Sequence, residues 1–383
     1  MTVRAVELPQ LWMPHPPRVN PYLPILREES ETWAREMGML DGEEGPSAPR
    51  PIWTRTQFHA MTVDQLTAWA LPDASLADLR LNHRFNIWAL AWDDYFASAF
   101  KQTGDLPAAL AFTARLHAFL RPEPGTRPPE PVNAVERGIA DLQQDLFPPR
   151  LAHWRHEFNR ALTRYVDAGV EELANSLGGR IPHLIDYAPF RRESFAAHTA
   201  PYSVELATGA RIPEKIRHSR TVRALLDAFM DFMGLANDIA SYEREVHEEH
   251  DVNNLVVVLG TSLGIPLQDA VPAALNLVNT RLRDFEHLRQ SELPQLVRRS
   301  GLDHEERAEL ERWLRGACGF LSGLHAWYTG APRYVAVDAS VPEQRQRPDG
   351  EGGADRPSSA PPSAVALGAD ALPRRPTAPA GGG

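Results

Sequence analysis

Apolar side chains recur at three- and four-residue intervals along most of this 383-residue chain, the period of helices with one buried face. The pattern predicts helical segments at about 27–40, 57–120, 134–176, 213–248, 264–289 and 304–329. Strand-like alternation is scarce, and its best instance, LVVVL at 255–259, is short and lies between helical segments. The fold class expected is therefore all-α. Breakers punctuate the pattern. Prolines 9, 14, 16, 17, 21 and 24 make residues 1–30 an extended arm on the surface of the domain. DGEEGPSAPRP (41–51) reads as a break, and five prolines in the thirteen residues 121–133 make a loop. A single domain spans 1–340. Residues 341–383 hold eight prolines and seven glycines and are expected to be a disordered tail, with too few apolar groups to offset ordering entropy.

Composition narrows the class. Apolar residues make up 43% of the chain, enough for a sizeable core, and a net charge of −10 argues against a nucleic-acid partner. The one cysteine, Cys318, excludes an internal disulfide and a cysteine-rich zinc site; it lies in an apolar stretch and reads as packing. The N-terminus lacks the features of a secretory signal, and no apolar run is long enough to span a membrane, so a cytoplasmic protein is expected. Of the 40 basic residues only Lys101 and Lys215 are lysines, which reads first as coding bias.

Four clusters carry candidate chemistry. In FNIWALAWDDYFASAF (85–100), Phe85, Trp88, Ala89, Trp92 and Phe96 share a helical face that ends at Asp93 and Asp94. Adjacent carboxylates beside an apolar stripe suit a hard cation shared with a phosphate; a solvent-facing pair is the plainer alternative. In NDIASYERE (237–245), Asn237, Ser241 and Glu245 at i, i+4 and i+8 align three oxygen donors on one face, a Mg²⁺-like set or an exposed polar face. In FRRESF (190–195), Arg191 and Arg192 could grip a phosphate, and Arg333 and Tyr334 close the folded region. HEEH at 247–250 has the wrong spacing for a zinc-binding HExxH and reads as a solvated helix end.

Taken together these clusters resemble the class I terpene synthases of bacteria, nearest the N-terminal, germacradienol-forming half of geosmin synthase. The resemblance covers about residues 7–335. It includes the opening LPQLWMPHPPRVNPYL, then TWAREMGML (32–40), ELANSLGGR (172–180) and the ending HAWYTGAPRY (325–334). It implies an α-helical bundle that ionises a prenyl diphosphate with three Mg²⁺ ions and cyclises the carbocation. It implies Asp93, Asn237, Ser241 and Glu245 as metal ligands, and Asp94 as a residue turned towards Arg333. Arg191, Arg244, Arg333 and Tyr334 would hold the diphosphate, while Trp88, Trp92, Phe96, Phe195 and Trp327 would meet the substrate at the cavity wall. Two positions depart from the family pattern. DDYFASAFK lacks the third acid of DDxxD or DDxxxE, and four residues after Arg191, which matches the family's diphosphate-sensing arginine, stands Phe195 where glycine is frequent. Farnesyl diphosphate and a sesquiterpene hydrocarbon or alcohol are expected. The alternatives are a diterpene synthase using geranylgeranyl diphosphate, or a catalytically silent prenyl-diphosphate binder. A homodimer is possible, as antiparallel dimers are common in the fold.

Overall fold

The structure is a computed structural model and describes residues 11–40, 51–121, 127–145, 152–248 and 251–334. The expected tail at 341–383, the domain boundary before it, the start of the arm, the segment 41–50 and the side chains of HEEH lie outside these residues. Among the described residues there are fifteen α-helices and no strand, apart from a lone bridge between Leu40 and Trp53. They are α1 Leu23–Glu36, α2 Arg55–Ala60, α3 Val63–Ala70, α4 Leu76–Phe96, α5 Leu106–Leu120, α6 Ala134–Asp145, α7 Ala152–Gly178 and α8 Leu184–Ser194. There follow α9 Ala200–Thr208, α10 Glu214–Arg217, α11 Arg220–Ala240, α12 Leu255–Leu263, α13 Leu267–His287, α14 Leu293–Arg299 and α15 His304–Gly330.

Most starts are chemically specified. Ser75, Asp105, Ser219 and Asp303 each accept a backbone N–H in the first turn of the helix they precede, which satisfies one of its orphan donors. Three expectations need correction. The extended arm is shorter than 30 residues: α1 starts at Leu23, with Pro24 in its first turn, where a missing N–H costs nothing. Helix α8 lies between the predicted helical segments 134–176 and 213–248, with Pro189 inside it. LVVVL is the first turn of α12, where Asn254 caps the helix and its five residues are buried. Tertiary burial outweighs the β preference of valine there.

Two apolar cores lie on either side of a cavity. One is built mainly from α4–α7 and includes Trp88, Trp92, Phe96 and Phe158. The other is built mainly from α9, α11–α13 and α15 and includes Phe229, Phe232, Phe285 and Trp313. Residues of α3, α4, α7, α8, α9, α11 and α15 line the cavity between them. Residues 11–20 are tied to the second side: Trp12 N donates to Asn279 Oδ1 at 2.8 Å and His15 Nε2 lies 2.7 Å from Glu286 Oε1. Among the described residues no single helix is long and apolar enough to cross a membrane.

Candidate active site

Both acidic clusters lie where a helix changes its winding. Helix α4 passes after Phe96 into a π-helical turn, Ala97–Lys101, and α11 is followed by another, Glu243–Glu248. Such turns are rare and concentrate at functional sites. The bonds Ser241 N to Asn237 O (2.8 Å) and Glu245 N to Ser241 O (2.9 Å) carry the row of oxygen donors across the end of α11.

One end of the cavity gathers most of the charged residues picked from the sequence. Asp93, Lys101, Arg191, Asn237, Arg244, Glu245, Arg333 and Tyr334 all line it. The Asp93 carboxylate makes no hydrogen bond or ion pair with any described residue. Asp94 turns away from the cavity: it accepts from Arg333 Nη2 at 2.9 Å and from Trp53 Nε1 at 2.6 Å. Burial pushes its carboxyl up, but the charge and hydrogen bond of Arg333 outweigh that and leave it below the usual range. Glu245 accepts from Asn254 Nδ2 at 3.0 Å, and burial raises its carboxyl against the pull of Arg191 and Arg244. Ser241 is buried behind this surface, and its hydroxyl donates to Asn237 O at 2.7 Å.

Arg191 organises the second cluster. Its Nε donates to Asp238 Oδ1 at 2.7 Å and its Nη2 to Asn237 Oδ1 at 2.9 Å. Asp238 is fully buried and also accepts from Tyr187 Oη (2.6 Å) and Leu255 N (3.0 Å), so the arginine is fixed from behind. Asn237 in turn donates to Tyr334 Oη at 3.3 Å. Phe195 packs under the guanidinium, with Arg191 Cζ 5.3 Å from the ring centre. A Cβ at Gly234 would fall 2.9 Å from Arg191 Cγ and 3.4 Å from Arg191 O, so glycine lets α8 approach α11 here. Arg192 points elsewhere, to Asp231 and Asp227.

The rest of the cavity is largely apolar, and its aromatic wall differs from the expected one. Trp88, Trp92 and Phe96 do not line it. They pack on the flank of α4 that meets α6 and α7: Trp88 Nε1 donates to Val135 O at 3.0 Å, and Trp92 lies against Phe96, Tyr165 and the bare backbone of Gly169. The cavity face of α4 is instead Asn82, Phe85, Asn86, Ala89, Leu90 and Asp93. Phe195 and Trp327 do line the cavity, joined by Tyr165 and Phe320. Trp327 is held by a bond from its Nε1 to Met61 O at 3.0 Å.

Sequence reasoning did not single out Asp238, Tyr187, Glu172, Asp251 or Asn254. Asp238 carried a signal: it is an acid beside Asn237 at the end of an apolar helix, where a charge must be paired.

The oxygen-only donor set of Asp93, Asn237 and Glu245 fits a hard divalent cation, with arginines alongside to meet an anionic ligand. Comparison with known proteins agrees. The family described as terpene synthase family 2, C-terminal metal binding, matches residues 84–284, more than half of the chain. The chain is 25% identical over 341 residues to the pristinol synthase of Streptomyces pristinaespiralis, covering 88% of this chain and 87% of that protein. It is 24% identical over 328 residues to a 7-epi-alpha-eudesmol synthase ((2E,6E)-farnesyl diphosphate cyclizing) of Streptomyces viridochromogenes, covering 85% and 91%. The crystal structure of germacradien-4-ol synthase from Streptomyces citricolor superposes with a TM-score of 0.71 at 21% identity, covering 84% of this chain and 98% of that one.

Proposed function

The chain belongs to terpene synthase family 2 and is an enzyme of that class that binds a divalent metal; we propose that it ionises farnesyl diphosphate with Mg²⁺ and cyclises the cation to a sesquiterpene hydrocarbon or alcohol. The observation that carries this reading is the convergence of Asp93, Asn237, Glu245 and three arginines at one end of an otherwise largely apolar cavity. The farnesyl chain length is supported by the 7-epi-alpha-eudesmol synthase, whose name states that substrate.

In this reading Asp93 binds metal from the first motif, and Asn237, Ser241 and Glu245 from the second, with three ions in all. For Ser241 the supporting feature is its place between the other two; its hydroxyl proton is engaged by Asn237 O, which leaves oxygen lone pairs for a cation. Bound Mg²⁺ would neutralise charge building on the leaving diphosphate. Arg191, Arg244 and Arg333 donate to the diphosphate oxygens, and Tyr334 adds a hydroxyl donor. Because Asp238 and Asp94 hold Arg191 and Arg333 before substrate arrives, little reorganisation is left for the moment of bond cleavage. Phe85, Tyr165, Phe195, Phe320 and Trp327 then present ring faces to the carbocation and keep water away, each face stabilising a cation by roughly 0.5–2 kcal/mol. No side chain acts as a nucleophile.

The test is incubation of purified protein and Mg²⁺ with geranyl, farnesyl and geranylgeranyl diphosphate separately, reading extracts by gas chromatography–mass spectrometry. A cyclic C15 product from farnesyl diphosphate is expected. Cyclic C20 product alone would replace the substrate, and binding without any product would favour a silent binder.

A further inference from the structure

The chain carries only two lysines among its 40 basic residues, and they sit in very different places. Lys215 is a surface residue paired with Glu306 at 2.8 Å. Lys101 lines the cavity, at the end of the π-helical turn that follows Asp93 and Asp94. Where the family motif carries a third acid, this chain has Ala97 and Ser98. In a regular α-helix Lys101 would lie about 80° round from Asp93. The wider π turn reduces that angle and brings the ammonium towards the cavity face.

The ammonium is held between two carboxylates, donating to Glu172 Oε2 at 3.0 Å and to Asp251 Oδ2 at 3.1 Å. An ammonium can bridge two separate acids this way, whereas a planar guanidinium fork suits the two oxygens of one. Asp251 is fixed by Asn253, whose N and Nδ2 both donate to its Oδ1 at 2.8 Å. Glu172 is less settled. Its other oxygen lies 3.7 Å from Arg191 Nη1, near enough to attract but beyond hydrogen-bond reach. Arg191 meanwhile donates to Asn237. A continuous path, Lys101–Glu172–Arg191–Asn237, thus joins the helix of the first motif to the second. The sign of the local charge also matters. Lys101, Glu172 and Asp251 together carry −1, so the lysine is a poor direct anion ligand, but without it two acids would face a diphosphate and its arginines.

We propose that Lys101 is a positioning residue for the diphosphate end of the cavity: it holds Glu172 off Arg191, leaving the guanidinium free to serve Asn237 and the substrate. Removing the ammonium leaves Arg191 as the cation nearest Glu172, and the arginine is drawn out of place. This inference rests on the reading of the cavity as a diphosphate site.

The test is titration calorimetry of full-length protein with inorganic diphosphate and Mg²⁺, alongside KM and kcat. Lys101→Met is expected to weaken diphosphate binding by about tenfold or more and to raise KM. Lys101→Met/Glu172→Gln should recover most of that loss, because the acid that pulls on Arg191 is gone. Glu172→Gln alone, which does not depend on the fold surviving loss of the lysine, should bind diphosphate at least as well as wild type. Three results would overturn the inference: unchanged diphosphate affinity in Lys101→Met with only the melting temperature lowered, no recovery in the double variant, or a tenfold loss in Glu172→Gln. Wild-type protein that fails to bind diphosphate with Mg²⁺ overturns the site reading itself, and this inference with it.

Discussion

Asp94 and Arg333 are 239 residues apart in sequence and meet in a two-bond ion pair, Nη2 to Oδ1 at 2.9 Å and Nη1 to Oδ2 at 3.3 Å. The pair fastens the segment after α15 to the helix of the first acidic motif. Arg333→Met leaves the Asp94 carboxylate without its cation. Breaking a fully buried pair costs about 3–5 kcal/mol, and this one is slightly exposed, so about 2–3 kcal/mol is expected in chemical denaturation. Turnover should fall by roughly a hundredfold or more if, as proposed, Arg333 donates to the leaving group. Asp94→Asn, which keeps a hydrogen-bond acceptor, should cost less of both.

The two aromatic groups should respond differently to truncation. Trp92→Ala removes a ring buried against Phe96, Tyr165 and Gly169, and should destabilise by about 3–5 kcal/mol with the product pattern retained in folded protein. Phe85→Leu and Trp327→Leu alter the cavity surface and should shift the product distribution. Chromatograms of the three variants check this; a new product profile from Trp92→Ala would restore the tryptophan stripe to the wall.

Gly234→Ala tests the close approach of α8 and α11. Its methyl group would collide with Arg191 Cγ and displace the guanidinium from Asn237 and Asp238. Alanine is the better helix former by about 1 kcal/mol, so stability is largely kept while kcat/KM falls at least tenfold. Equal loss of both in melting and kinetic assays would contradict the arrangement.

Acid should weaken the fold through His83. This ring is enclosed by Ser30 and Thr67, and burial lowers its pKa from 6.5 to about 4. Between these values the unfolded chain binds the proton and the folded one does not. The contribution is therefore fully present above pH 6.5 and is lost as the pH falls towards 4, on the order of 3 kcal/mol. His15 works in the opposite sense: hydrogen bonds to Cys318 and Glu286 raise it to about 9, so the stability it lends is present below pH 6.5 and lost as pH rises through 9. Denaturation curves of His83→Gln and His15→Ala across pH 4–10 should each lose one limb of the dependence.

The helical period was legible where a helix has one buried face, as in α4, α13 and α15. It failed at α8, where Pro189 hides a helix, and at α12, where valines buried on all sides have no period to show. The metal-binding candidates were legible because their spacing is local: Asn237, Ser241 and Glu245 need only one stretch of chain. Helical spacing grouped Phe85, Trp88, Ala89, Trp92 and Phe96 as one face, but the structure divides it: Phe85 and Ala89 line the cavity while the other three pack away from it, because spacing cannot say which neighbour each part of a face meets. That depends on α6 and α7, which arrive later in the chain. The partners that fix the site, Asp238 for Arg191 and Glu172 with Asp251 for Lys101, are long-range pairings of common residue types and leave no local pattern.

Asp93 and the Asn237–Glu245 row are proposed together to drive departure of the diphosphate. The most direct measurement is the Mg²⁺-dependent release of inorganic diphosphate from farnesyl diphosphate, by wild type and by Asn237→Ala/Glu245→Gln, with circular dichroism to confirm the fold. Release by wild type that disappears in folded double variant is the predicted result. Release that persists in the double variant would contradict the account.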